Sequence, residues 1–221
     1  MKNILIFNLF AVTLLLNQCA NDDTANSSNE SAVVTTIFAD DFSVDGDLHN
    51  QSADTGGVWS VNSGALSVFS GGVDTQNGNT ASKQAFASFS RALTANETLT
   101  LTLTTSATAG SFNTVGWAGI SLYTGGTEQF FIGSPGLISG WGIGGIVNPA
   151  QQTSPLITGS AQTVIFTYAY DTGAWTFEVP GSADLSGTTT VNLALDTLRL
   201  GADMNNIATI LISDISITVS E

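Results

Sequence analysis

A strict alternation of threonine and leucine over residues 98–104 constrains this chain more than any other feature of its sequence. Successive side chains of a β-strand point to opposite faces, so the run places Leu99, Leu101 and Leu103 on one face and the threonines on the other. The segment is therefore predicted to be a half-buried strand that turns its leucines toward a core.

The same alternation predicts a hairpin further along the chain. Residues 162–170 carry apolar side chains at every second position, residues 171–173 (Asp-Thr-Gly) have turn composition, and the alternation then resumes. Two such runs joined by a short glycine-containing turn pair as antiparallel strands. The core face of this hairpin is predicted to carry Val164, Phe166, Tyr168, Tyr170, Trp175, Phe177 and Val179.

Short apolar or alternating runs recur between glycine-rich turn sequences along the rest of the chain. No stretch of ten or more residues has a helical period with capping residues, and no repeat of fixed length occurs. These features predict an all-β fold with two antiparallel sheets packed as a sandwich. The further predicted strands cover residues 33–38, 58–61, 65–69, 84–90, 115–123, 129–132, 140–147, 191–195, 198–200 and 210–219.

The last predicted strand changes its alternation in the middle. Ile210 and Ile212 share one face, but the apolar residues from Ile215 onward are one position out of phase with them. A one-residue slip reverses the faces of a strand unless an extra residue restores the register. The sequence therefore predicts a bulge or bend at Ser213 and Asp214.

The N-terminus has the composition of an export signal. Lys2 precedes an apolar run over residues 4–16, which is too short to span a bilayer but has the length of a signal-peptide core. Asn17 and Gln18 follow, and then Cys19, which resembles the acylated cysteine of bacterial lipoproteins in its position. We therefore predict a signal peptide over residues 1–19 and lipidation of Cys19, with ordinary cleavage and an unmodified cysteine as the alternative.

A flexible tether and one folded domain are predicted after the signal peptide. Residues 20–32 are polar, small and unpatterned, as in a tether, and residues 33–221 contain all of the predicted strands. Because Cys19 is the single cysteine, the domain can form no internal disulfide. Its stability must come from core burial and backbone pairing.

Several short phrases resemble the laminin-G-like domains of the concanavalin A-like lectin/glucanase fold, which occur in bacterial surface and secreted proteins. They lie at residues 39–51, 55–60, 117–123, 125–133, 196–201 and 213–217. The resemblance covers most of residues 37–221 and implies a jelly-roll sandwich of two curved antiparallel sheets. It carries no catalytic motif.

The charge balance excludes one large class of partner. The chain has 18 acidic and 4 basic residues, for a formal charge of −14. Binding to nucleic acid needs clustered lysine and arginine, and only Lys83, Arg91 and Arg199 lie outside the N-terminal segment. Nucleic acid is therefore excluded as a partner, and anionic polysaccharides are disfavoured.

The residues needed for glycan cleavage do not form a recognisable pattern. Glycoside hydrolysis uses two converging carboxyl groups, which glucanases of this fold carry as Glu-x-Asp-x-x-Glu on one strand, and no segment here matches. Lyases of this fold combine an arginine, a histidine or glutamine and a tyrosine. His49 is the one histidine, and Arg91 and Arg199 are far apart in sequence. A non-catalytic role is therefore predicted.

Binding of neutral glycans is the function that the aromatic residues favour. Sugar rings stack on aromatic side chains, while carboxylates and amides bond their hydroxyls. Trp117 and Tyr123 share a predicted strand face, Trp141 lies in a glycine-rich segment, and Glu128 begins a strand. These four are the predicted ligand contacts. Burial in the core is the alternative for any one tryptophan, and it is the expected position of Trp59 and Trp175 beside valine and phenylalanine.

A structural calcium ion is the one cofactor that the sequence indicates, and no other is required. Asp45 and Asp47 place hard oxygen ligands in a short loop, and Asp214 could join them because first and last strands of such sandwiches are often neighbours. The alternative is that aspartate and glycine act here as ordinary turn formers.

These features together predict an exported, surface-tethered and non-catalytic module that binds a neutral glycan. The location is predicted to be the outer membrane or cell surface if Cys19 is lipidated, and otherwise the periplasm or exterior. One alternative is a structural or adhesive lipoprotein that pairs with other surface proteins. The second alternative is a glycan hydrolase or lyase of the same fold.

Overall fold

All regular secondary structure in the described part of the chain is β-strand. The computed structural model describes residues 32–64, 66–75, 81–107, 116–134, 140–152, 161–203 and 210–221. The predicted signal peptide, Cys19 and the tether as far as residue 31 lie outside these ranges. Within them, no helix is long and apolar enough to cross a membrane. The strands are β1 (Val34–Asp40), β2 (Gly46–Asp47), β3 (Ser60–Ser63), β4 (Ser67–Val68), β5 (Val73–Asp74), β6 (Lys83–Ser88), β7 (Thr98–Ala107), β8 (Ala118–Thr124), β9 (Thr127–Ser134), β10 (Gly142–Gly145), β11 (Gln151–Gln152), β12 (Gln162–Ala169), β13 (Ala174–Glu178), β14 (Leu185–Thr188), β15 (Thr197–Ala202) and β16 (Ile210–Ser220).

The described strands form two antiparallel sheets. The nine-stranded sheet has the order β14-β13-β12-β7-β16-β5-β4-β2, with β1 also paired to β16. The seven-stranded sheet has the order β11-β10-β9-β8-β15-β6-β3. Strands that are distant in sequence, such as β7 and β16 or β8 and β15, are neighbours in these sheets. The predicted all-β, two-sheet fold is confirmed.

The core lies between the two sheets and is built from alternate residues of each strand. Leu99, Leu101 and Leu103 of β7 are buried as the alternation predicts. The rings of Phe130 on β9 and Phe166 on β12 have centroids 4.8 Å apart, which brings the sheets into direct contact. Burial of this apolar surface is the main stabilising contribution to a sandwich without disulfides.

The predicted irregularity in the last strand is confirmed as a bulge. Along β16 the pairing with β7 shifts register between Ile212 and Asp214, which leaves Ser213 as the extra residue. Ile210 and Ile212 before the bulge and Ile215 after it all face the core. The inserted residue therefore reconciles two apolar patterns that are out of phase.

One predicted strand is wrong, and four short strands, β2, β5, β11 and β14, were not predicted. Residues 191–195 were expected to form a strand, but they adopt irregular structure although Leu193 and Leu195 are buried. The amide of Leu193 donates to the Tyr168 hydroxyl at 3.2 Å rather than to a strand neighbour. Alternation of side chains indicates which residues are buried, but not which residues form hydrogen bonds with a neighbouring strand. It therefore could not show that residues 191–195 lack such pairing whereas β14 has it.

Trp59 and Trp175 are buried in the core, as expected. The indole Nε1 of Trp59 donates to the carboxylate of Asp40, and the Asp40 Oδ1 atom accepts from the Phe42 amide at 2.8 Å. Burial raises the pKa of Asp40, although both hydrogen bonds oppose that shift. This buried carboxylate links β1 to the core tryptophan.

Candidate ligand-binding cleft

The outer face of the seven-stranded sheet carries a row of side chains contributed by five adjacent strands. The pairing register aligns Phe86 with Arg199, Arg199 with Ser121, Ser121 with Phe131 and Phe131 with Gly144. Neighbouring residues on each strand are buried in the core, so this row faces away from it. Residues from distant parts of the chain therefore meet on one surface.

A cleft of about 330 Å³ opens over one end of this row. Its size is at the lower end of the range for small-molecule sites. Apolar side chains, glycine backbone and one charged pair form its walls. The lining residues are Trp117, Glu128, Phe131, Gly144, Gly145, Ala150 and Arg199.

The charged pair in the cleft is fixed by two further side chains. The Arg199 Nη2 atom donates to Glu128 Oε2 and to Ser121 Oγ, both at 2.7 Å. The Tyr123 hydroxyl also donates to Glu128 Oε2, at 3.3 Å. The Arg199 side chain is 13% exposed and that of Glu128 is 33% exposed. The guanidinium is therefore held firmly, and the carboxylate keeps access to the cleft.

Two aromatic rings flank the guanidinium. The Cζ atom of Arg199 lies 4.3 Å from the centre of the Trp117 ring and 5.6 Å from that of Tyr123. Phe131 makes an edge-on contact with Trp117, with centroids 6.2 Å apart. Because the cation covers one face of Trp117, this face is not free for a sugar. Other parts of this half-buried indole contribute to the cleft wall.

Tyr123 does not line the cleft, but its hydroxyl contacts the cleft residue Glu128. Its side chain is on the same sheet face as Trp117, but the residue is only 9% exposed. Burial raises the pKa of the Tyr123 phenol, with the nearby Arg199 opposing the shift and Glu128 reinforcing it. The phenol therefore stays protonated at neutral pH and acts as a hydrogen-bond donor to Glu128.

The two glycines of the cleft have different roles. Gly145 has φ +80°, and a Cβ atom there would lie 2.3 Å from the Gln129 carbonyl oxygen, so the backbone path requires glycine. A Cβ atom on Gly144 would meet only the Ala150 side chain, at an ordinary 3.5 Å. Gly144 is therefore not needed for the fold, and its missing side chain leaves open space in the cleft.

The structure brings together two of the four predicted ligand contacts at the cleft surface. Trp117 and Glu128 line it, and Tyr123 lies directly behind Glu128. Trp141 is 1% exposed and belongs to the core, where its indole ring faces no open surface. This burial corrects the prediction that Trp141 contacts a ligand, since glycine neighbours expose a side chain only when it points outward.

Arg199 and Phe131 were not predicted as cleft residues. Alternation in β15 identifies Arg199 as outward-facing, because Leu198 and Leu200 are buried on either side of it. Its position beside Trp117 depends on the pairing of β15 with β8, which no local pattern in the sequence reveals. The separation of Arg199 from Tyr123 along the chain therefore gave no measure of their distance in space.

The three aspartates predicted to bind calcium do not form a close group in the described structure. The carboxylate of Asp45 accepts from the Ser70 amide at 2.8 Å, and that of Asp47 accepts from the His49 amide at 2.9 Å. Asp47 therefore forms a local turn with its own chain segment, whereas Asp45 ties its loop to the turn between β4 and β5. Structural calcium stays a prediction, and the observed geometry offers no ligand set that combines these two with Asp214.

Asp214 instead lies near other acidic residues. Carboxylate oxygens of Asp40, Asp41 and Asp54 come within 4.8 Å of one another. Partial burial raises the pKa of Asp214, and the negative charges of Asp41 and Asp54 raise it further. The pairing of β1 with β16, predicted from their positions in the chain, brings these groups together. The negative charges of this cluster repel one another.

Solved structures match this chain over most of its length, whereas neither protein-family models nor curated proteins match it. The CBM2 module of the evolved Dit protein of Lactobacillus casei BL23 phage J-1 has 13% sequence identity and a TM-score of 0.58, over 85% of this chain and 96% of that one. Lectin UEA-II in complex with galactose has 9% identity and a TM-score of 0.54, over 85% of this chain and 100% of that one. This chain has the concanavalin A-like fold.

A sialidase also matches, with 10% identity and a TM-score of 0.55. The match covers 72% of this chain but only 16% of the sialidase chain, so it concerns one part of a larger protein. At these identities the likeness establishes the concanavalin A-like fold alone. The residues of the cleft therefore carry the evidence on function.

Proposed function

We propose that this protein is an exported, surface-tethered and non-catalytic module that binds carbohydrate. The observation that carries the proposal is the cleft on the seven-stranded sheet, in which Trp117 and the Arg199–Glu128 pair meet over open space left by Gly144. Aromatic surface next to a small number of fixed polar groups is the usual composition of a sugar site.

The electrostatics of the cleft favour a neutral ligand. Arg199 and Glu128 form an ion pair, so the cleft adds no net charge, while the whole chain carries −14. Neutral glycans present hydroxyl groups that both donate and accept hydrogen bonds, which suits a carboxylate beside a guanidinium. Among the solved structures of similar fold, lectin UEA-II was determined in complex with galactose.

The absence of a second carboxylate supports a non-catalytic role. Glycosidases use two carboxyl groups about 5–10 Å apart across the bond that breaks. Among the described residues that line the cleft, Glu128 is the only acid, and Arg199 occupies one of its oxygens. A lyase would need a tyrosine or other group able to accept a proton, and burial raises the pKa of Tyr123.

A glycan array tests the proposal directly. The folded domain, residues 33–221, should bind one or more neutral glycans. Trp117→Ala should weaken that binding, and Gly144→Val should abolish it by filling the cleft. A Cβ atom at residue 144 makes only an ordinary contact with Ala150, and circular dichroism checks that the larger valine side chain leaves the domain folded. Phe69→Ala is the matched control, because this aromatic residue is 75% exposed and lies beside β4 in the other sheet.

Binding that disappears in the two cleft variants and persists in Phe69→Ala supports the proposal. A domain that is folded by circular dichroism but binds no glycan contradicts it and favours a structural or adhesive role. Binding that is unchanged in Gly144→Val places the glycan site elsewhere on the molecule.

Export and anchoring need a separate test. The supporting observations are the apolar run over residues 4–16 and the cysteine directly behind it. Metabolic labelling with radioactive palmitate in a bacterial host should label the full chain, and Cys19→Ser should lose the label and leave the membrane fraction. Labelling that is unchanged in Cys19→Ser contradicts lipidation at this residue.

A further inference from the structure

The ion pair in the cleft is joined through one oxygen and one nitrogen only. Arg199 makes both of its hydrogen bonds within the described residues through Nη2. Its Nε atom is buried without a partner in this part of the chain. Glu128 likewise accepts both of its hydrogen bonds at Oε2, from Arg199 and from Tyr123. A two-point pairing, which arginine and carboxylate often form, would have used a second atom of each group.

This arrangement leaves one donor and one acceptor for a ligand. Arg199 Nη1 and Glu128 Oε1 make no hydrogen bond to any described residue. Both side chains line the cleft. The guanidinium and the carboxylate are already held in place, because Ser121, which bonds to Arg199, is fully buried and Tyr123, which bonds to Glu128, is nearly so. The cost of ordering long side chains on binding is therefore largely met in the free protein.

We propose that this pair recognises two neighbouring hydroxyl groups of a neutral, unmodified hexose, and that it selects against hexuronic acids and amino sugars. One hydroxyl donates its hydrogen to Glu128 Oε1, and the oxygen of the adjacent hydroxyl accepts from Arg199 Nη1. The inference rests on the proposed glycan-binding function and adds the class of sugar.

The preference for neutral sugars arises because the positive charge of Arg199 and the negative charge of Glu128 lie side by side at the proposed binding point. A hexuronate brings a carboxylate close to Glu128, and its negative charge also opposes the field of a chain with a net charge of −14. A protonated amino sugar brings an ammonium group that Glu128 attracts and Arg199 repels, so its charge gains little from the pair while it loses hydration on entering the cleft. A neutral hydroxyl pair meets neither repulsion.

The aromatic residues have a supporting part in this recognition. Because the guanidinium covers one face of Trp117 at 4.3 Å, stacking of a sugar on that face is blocked. Phe131 and Ala150 add apolar wall to the cleft. Specificity among sugars therefore depends on the charged pair, and the apolar wall contributes affinity that differs little between neutral sugars and uronic acids.

The test uses matched neutral and charged probes in calorimetric titrations. The probes are gluco-, galacto- and manno-oligosaccharides, the same oligosaccharides oxidised at C6 to uronic acids, and the corresponding 2-amino sugars. The wild-type domain should bind at least one neutral series at least tenfold more tightly than its oxidised and amino forms. Glu128→Gln keeps the shape of the side chain and should weaken neutral binding roughly tenfold to hundredfold, the range for a lost charge-assisted hydrogen bond. It should also reduce the preference over the oxidised form.

The outcomes separate this inference from the proposed function. Binding of an oxidised or amino form as tightly as the neutral form, or neutral binding that is unchanged in Glu128→Gln, overturns the inference while glycan binding stands. Binding to none of these probes nor to any arrayed glycan overturns both. Thermal melting of Glu128→Gln shows whether the variant is folded, and Glu128→Asp, which keeps the charge but shortens its reach, should also lose affinity if the contact is direct.

Discussion

The guanidinium of Arg199 stacks on the ring of Trp117, with 4.3 Å between the Cζ atom and the ring centre. The two residues come from adjacent strands of the seven-stranded sheet, because β15 pairs with β8. Trp117 directly precedes β8. This contact and the bond to Glu128 together define the cleft, so Arg199 is the residue on which its geometry most depends.

Replacement of Arg199 by methionine should remove both glycan binding and part of the stability. The loss of a cation–π contact and of two charge-assisted hydrogen bonds costs about 2 kcal/mol. For a domain of this size that corresponds to a fall in Tm of about 4–8 °C, measurable by differential scanning fluorimetry. Arg91→Met is the matched control, since Arg91 pairs with Glu97 outside the cleft. It should lower Tm without changing glycan affinity, and a loss of affinity there would contradict the assignment.

Tyr123→Phe should weaken glycan binding several-fold and leave the fold intact. The phenol donates to Glu128 Oε2 and restricts the orientation of the carboxylate, but Arg199 still holds the same oxygen when the hydroxyl is gone. Calorimetry with a glycan identified on the array measures the change. An affinity equal to that of the wild type would show that the hydroxyl does not position Glu128. A complete loss would indicate that it contacts the sugar itself.

Asp214→Asn should raise the stability of the domain. The negative charges of Asp41 and Asp54 face Asp214, and its pKa is raised by burial and by these charges. Removing a like charge at an exposed position stabilises by about 0.5 kcal/mol, or about 1–2 °C in Tm. The gain should shrink at high salt because exposed charges are screened. A lower Tm in the variant at low salt would contradict this interpretation of the acidic cluster.

The pH dependence of stability should show a maximum on the acidic side of neutrality. The folded pKa of Asp40 and Asp214 is raised, so the folded state binds their protons more tightly than the unfolded state, and stability increases as pH falls through the folded pKa values toward their ordinary value of 3.8. Glu97 has the opposite sign. Its pKa is lowered by Arg91 and Thr94, so its contribution is present above its ordinary value of 4.5 and is lost as pH falls through the folded pKa.

Urea unfolding between pH 3 and pH 8 measures this profile. The wild-type free energy of unfolding should increase from pH 8 toward mildly acidic pH and then fall. In Asp214→Asn the increase on acidification should be smaller, because one of the two groups responsible is absent. A free energy that declines steadily from neutral pH downward would contradict the assigned signs.

The fold could be predicted from side-chain alternation because burial on one face is a local property of each strand. The hairpin of β12 and β13 and the bulge at Ser213 followed directly from the positions of apolar residues. Residues 191–195 show where this reasoning ends. Leu193 and Leu195 are buried, yet their backbone bonds to Tyr168 and to nearby loops, and pattern alone does not distinguish the two cases.

The cleft could be predicted only in part for a different reason. Trp117 directly precedes β8 and Glu128 lies on β9, the next strand of the same hairpin, so their proximity could be inferred from local spacing. Arg199 joins them through a long-range pairing, and the burial of Trp141 depends on which face of β10 meets the other sheet. Both facts are set by topology, which sequence periodicity does not contain.

Nuclear magnetic resonance titration of the ¹⁵N-labelled domain with a neutral oligosaccharide shows whether glycan binds in the cleft. We expect saturable shifts confined to the amides of Gly144 and Gly145, the Trp117 indole N–H and the Arg199 side chain, with residues near Asp40 and Phe69 unaffected. Shifts centred on the nine-stranded sheet, or a spectrum that does not change with any neutral glycan tried, would contradict this expectation.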